Sequence, residues 1–146
     1  MPFILFLMRI FVGGVFVYSG WEKLSAPIEN FMAIIEGYQF LKPPFISIAA
    51  HAVPWLELIF GAFLALGFLT RTSTVALACF LMFFIGLLLR SLLQHLPVSE
   101  CGCFGSGIVL SPKQALILDS GLLMISLVLI GLRSRFLSLD EKLHRL

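Results

Sequence analysis

Four apolar runs of about twenty residues, joined by short polar connections, leave this chain few ways to fold. They cover residues 3–20, 45–69, 72–93 and 112–132, and each is close to the ~20 residues with which a helix crosses a ~30 Å hydrocarbon core. In lipid a backbone must satisfy its own N–H and C=O groups, which makes runs of this kind helices. The rest of the chain agrees, since only 12% of its 146 residues are charged, roughly half the share found in soluble domains. We therefore expect an all-α polytopic membrane protein, a four-transmembrane-helix bundle forming a single domain over 1–146. No soluble catalytic module fits beside it. The basic residues gather into no stripe, so the net charge of +2 is no nucleic-acid footprint, and lipids are the expected surroundings.

The first run lacks the basic start and small-residue cleavage site of a secretion signal and contains Arg9, so it reads as a retained helix. An even number of spans puts both termini on one side, together with the tight "LTRTS" turn. That side collects Arg71, Arg133, Arg135, Lys142 and Arg145, against Lys23, Lys42, Arg90 and Lys113 on the other. Basic residues next to spans favour the cytoplasm. The expectation is an inner-membrane protein with cytoplasmic termini, and with the loop at about 96–110 facing the periplasm or exterior.

Between the first two spans, Ile28, Phe31, Met32 and Ile35 recur at helical spacing, with Glu29, Asn30 and Glu36 on other faces. Ser25 can cap this segment, Pro27 suits its first turn, and Pro43-Pro44 ends it. This predicts a short amphipathic interfacial helix. It is either a lipid-facing strut or a lid over a site below. In "SPKQ", Ser111 as N-cap, Pro112 at the first position and Gln114 as capping-box partner start the last span.

The loop before it holds "SECGCFGSG". Cys101 and Cys103, separated by Gly102, can close a very small disulfide ring, because glycine permits the sharp turn. Such a ring departs from relaxed geometry, and strained, exposed disulfides are the readily exchanged ones. A one-residue loop also constrains the unfolded chain very little, which argues against a purely structural bond. Two alternatives stay open. Thiolates also suit copper(I) or zinc, and His95 could add a nitrogen, although the four ligands and wider spacers of a structural zinc site are not visible. The cysteines could also serve no chemistry at all.

Ionisable groups at membrane depth need a partner or water. Glu57 shares a stripe with Gly61 and Ala65, and Arg9 shares one with Gly13 and Gly20. Small residues mark faces where helices approach. By helical rise Glu57 lies about 18 Å and Arg9 about 9 Å from the inner surface, so an intramembrane Arg9–Glu57 ion pair is expected. Near the outer surface His51, Arg90 and Asp119 fall at similar depth, with Arg90 aligned with Gly86 and Cys79, and Asp119 with Ala115 and Ser126. These three form a candidate polar pocket for a quinone, or a satisfied interface cluster. Cys79, about 15 Å below the outer end of its span, reads as a small buried packing residue.

With "CGCFG" in the frame of "RIFVGGVFVYSGWEKL" and "PWLELIFGAFLALGFLTR", the sequence resembles the MauE/DoxX family of small redox-associated membrane proteins, in particular the methylamine-utilisation MauE branch. The family frame falls on Arg9, Gly13, Gly20 and Lys23, then on Glu57, Gly61 and Gly67, and then on Cys101, Cys103, Phe104 and Gly105. The resemblance implies a four-helix membrane protein that works with a periplasmic thioredoxin-like partner on an extracytoplasmic client enzyme. In the methylamine system that client is methylamine dehydrogenase, with its disulfide-rich small subunit. DoxX-type relatives are linked to quinone-coupled sulfur oxidation and thiol defence. The function expected on these grounds is thiol–disulfide exchange at Cys101 and Cys103, with a quinone as the candidate cofactor. A soft-metal carrier and a non-catalytic assembly subunit are the alternatives.

Overall fold

The computed structural model describes residues 2–96 and 109–132. They form five helices: α1 Pro2–Ser25, α2 Ile28–Gly37, α3 Pro43–Leu66, α4 Thr70–Leu93 and α5 Pro112–Gly131. Four of these, all but α2, are long and apolar enough to cross a membrane. The fold is thus a four-span helical bundle with one short helix between the first two spans. Large apolar side chains such as Phe3, Met82 and Leu93 face outward, which suits lipid and would be a liability in water.

Helix bounds differ from the sequence reading where local chemistry decides them. α1 continues five residues beyond Gly20, so Ser25 ends α1 and caps nothing; Pro27 occupies the N-cap position of α2 without a side-chain bond. α3 stops at Leu66, three residues early, because Gly67 takes a left-handed φ of 77°. There the Gly67 N–H bonds to the Leu64 carbonyl, and the Phe68 N–H to the Phe63 carbonyl. This is a Schellman ending, and the rings of Phe63 and Phe68 pack edge-on across it at 5.2 Å. α5 begins as expected: the Ser111 side chain accepts from the Gln114 N–H while the Gln114 side chain accepts from the Ser111 N–H.

α1 packs most extensively on α3, and α4 on α5. Lipid tails are as apolar as leucine, so span association relies on close packing, and small residues allow it. A Cβ added at Gly13 would lie 2.7 Å from the Gly61 carbonyl oxygen, and one at Gly20 would lie 2.7 Å from that of Pro54. Gly61 in turn faces the Gly13 carbonyl. The backbones of α1 and α3 therefore touch, antiparallel, with residues 13 and 61 at one level and 20 and 54 at another. Val12, Phe16, Leu64, Leu77, Leu81 and Leu122 join the four spans in one core.

The end of the bundle where α4 hands over to α5 is called the loop end below. α2 closes it. Phe31 and Tyr38 are buried, and Tyr38 packs with Leu88 of α4 and Ala115 of α5. Glu29, Asn30 and Glu36 remain exposed. The amphipathic helix foreseen from the sequence is thus seated on the bundle through Phe31, with Ile28, Met32 and Ile35 half-buried beside it.

Candidate functional site

Beneath α2 lies a buried charged cluster. The Lys23 ammonium donates to both carboxylate oxygens of Glu57, at 2.8 and 2.7 Å, and to Ser19 Oγ at 3.1 Å. Ser19 Oγ donates to Glu57 Oε2 at 3.2 Å. The Lys23 and Glu57 side chains are 0% and 2% exposed. Two rings complete the enclosure, with the ammonium 5.2 Å from the Phe31 centroid and 5.5 Å from that of Phe84. Ser19 and Lys23 stand one turn apart on α1, flanking Gly20, and Glu57 stands one turn from Gly61 on α3. The glycine contact that draws the two backbones together therefore also sets the charges face to face. A buried ion pair survives only when its lone pairs and protons are used. Here the lysine's donors are matched by the two carboxylate oxygens and the serine.

This corrects the expected Arg9–Glu57 pair. Gly13 is level with Gly61 and Ala65, which puts Arg9 near the α3–α4 turn, about ten residues or ~15 Å of rise from Glu57. Arg9 is fully buried there, with its guanidinium 5.2 Å from the Phe6 ring. Lys23 escaped notice as the partner because it was placed outside the first span. The signal available was its spacing, four residues from Ser19 and three from Gly20 on the face that meets α3.

In the candidate pocket of His51, Arg90 and Asp119, His51 stands apart. His51 lies on the outward face of α3, with Nδ1 2.7 Å from the Ser47 carbonyl oxygen. It is one residue past buried Ala50, about a quarter-turn off the packed stripe of Ala50, Pro54, Glu57 and Gly61. Arg90 is half-buried; its Nε donates to Gln94 Oε1 at 3.2 Å and its guanidinium lies 6.0 Å from the Phe40 ring. Asp119 is buried on the α5 face that carries Ala115, Leu122 and Ser126. Cys79 is exposed, beside buried Ala78, and a Cβ on Gly86 would meet nothing within 4 Å. Cys79 and Gly86 thus face away from the core, which corrects the inward reading of their stripe and the packing role of Cys79. Small size on a span marks a helix contact only when another helix is there.

Cys101 and Cys103 lie outside the described residues, on the connection whose ends, Leu96 and Val109, are at the loop end. Among the described residues no three His, Cys, Asp or Glu side chains converge as metal ligands.

A four-span helical membrane protein with a glycine-packed α1–α3 pair, a buried Lys–Glu pair and a Cys-Gly-Cys connection defines the class. Within that class, residues 1–132 match the family of the methylamine utilisation protein MauE, and the chain belongs to that family. No curated protein and no solved structure matches it.

Proposed function

We propose that this protein is a membrane thiol–disulfide exchanger whose working pair is Cys101 and Cys103. The observation that carries the reading is the Cys-Gly-Cys at 101–103, on the connection between the last two spans of a MauE-family bundle. The loop end faces the periplasm or exterior, where disulfides form and persist. A thiolate of a thioredoxin-like partner attacks one sulfur of the Cys101–Cys103 disulfide. A mixed disulfide forms and the other cysteine leaves as a thiolate. The partner's second thiolate then resolves the mixed disulfide, so the partner is oxidised by two electrons and Cys101 and Cys103 are both reduced. A membrane quinone is the proposed acceptor that restores the disulfide, taking two electrons and two protons to become a quinol. The client is an extracytoplasmic enzyme that needs disulfides to mature.

In cells, a Cys101→Ser or Cys103→Ser variant is expected to accumulate a mixed disulfide with the partner, visible as a band that reductant removes. The double serine variant is expected to lose client maturation. Full client maturation with both serines would overturn the reading in favour of an assembly subunit. Stoichiometric copper or zinc in the purified reduced protein, lost with the same substitutions, would overturn it in favour of a metal carrier.

A further inference from the structure

The redox reading makes no use of the Lys23–Glu57–Ser19 cluster or of the helix above it. Lys23 is two residues from the end of α1, and its ammonium reaches back to Ser19, six residues or about 9 Å of rise from that end, so the cluster lies below α2 and inside the bundle. Over the ammonium lie one ring from α4, Phe84, and one from α2, Phe31. Tyr38, the residue that ends α2, is buried as well and is seated on Leu88 and Ala115.

Several features make α2 the most weakly held helix. Its ten residues fall short of the ~12–15 at which a helix starts to hold in water unaided. It is bracketed by Pro27 on one side, and on the other by Gln39, whose φ of 51° is left-handed and uncommon for a residue with a side chain. Elements with few buried contacts are those that open locally.

We propose that α2 is a hinged lid that gates access of water from the loop end to the buried Lys23–Glu57–Ser19 cluster, with Phe31 as its plug and Tyr38 as its rest on α4 and α5. Closed, the lid keeps the ion pair dry. Open, it leaves the ammonium under Phe84 alone and admits water and protons to it. The gate does not depend on the redox reading, and its test measures no redox activity.

The test is thiol accessibility in the full chain, in sealed vesicles, with Cys79, Cys101 and Cys103 replaced by serine. Ser19→Cys reports on the cluster and Leu122→Cys on the bundle core. A membrane-impermeant cationic methanethiosulfonate is applied from the loop side, with and without Phe31→Ala. The expected result is that removing the plug speeds labelling at position 19 by about tenfold or more relative to any change at position 122, as for a local opening. Equal acceleration at both positions, or none at 19, would overturn the lid. Should Phe31→Ala fail to accumulate, Phe31→Leu, which removes the ring and keeps apolar bulk, is read the same way.

Discussion

Lys23 and Glu57 illustrate what a charge inside a bilayer requires. Each would cost several kcal/mol alone, and each is held by the other and by Ser19. Breaking the pair from one side should therefore be worse than removing it. Lys23→Met is expected to destabilise the protein by about 3–5 kcal/mol, whereas Lys23→Met with Glu57→Leu recovers most of the loss; unfolding in mixed micelles measures both. The same experiment tests the correction concerning Arg9. Arg9→Ala and Glu57→Gln should add to within about 0.5 kcal/mol, as independent sites do, while Lys23 and Glu57 should be strongly non-additive. Glu57 was legible in the sequence as an inward-facing residue because its neighbours at i+4 and i+8 are small. Its partner was not, since reading a pair across two helices needs their register, and one helix had been ended five residues short.

Among the helices, the α1–α3 contact rests on three glycines whose missing Cβ atoms are replaced by the other backbone. Gly13→Ala would place a methyl 2.7 Å from a carbonyl oxygen and 2.8 Å from a backbone nitrogen, neither of which can rotate away. It is expected to cost about 1–3 kcal/mol, the usual range for overpacking. Gly86→Ala meets open space and is expected to stay within about 0.5 kcal/mol of the parent. Equal effects in a micellar unfolding titration would contradict the packing described. α2 was legible as an amphipathic helix because its apolar residues recur at helical spacing. What its apolar face meets was not, because periodicity specifies a face and leaves its neighbour open.

For the whole molecule, four spans place the start of α1, the end of α5 and the α3–α4 turn on one side, and α2 with the end of α4 and the start of α5 on the other. The proposed orientation, argued from the basic residues near span ends, puts the terminal side in the cytoplasm. In a cysteine-free chain in intact cells, an impermeant maleimide is expected to label Lys113→Cys from outside, and to reach Arg71→Cys only after the membrane is opened. The reverse pattern would move the Cys101–Cys103 pair into a reducing compartment and remove the basis for the proposed exchange.

The amino-acid sequence by itself determined the class of fold. Length and apolarity of four runs leave helices as the only way to satisfy a backbone in lipid, and the capping box of α5 and the stripes of small residues are local facts. The Cys-Gly-Cys is likewise read directly from the chain. Tertiary structure alone decided which buried charges meet, which small residues are contacts and which face lipid, and that α2 folds down over the loop end. Each of these depends on how far one helix is shifted and turned against another. The α1–α3 glycine contact sets that shift, and no single helix encodes it.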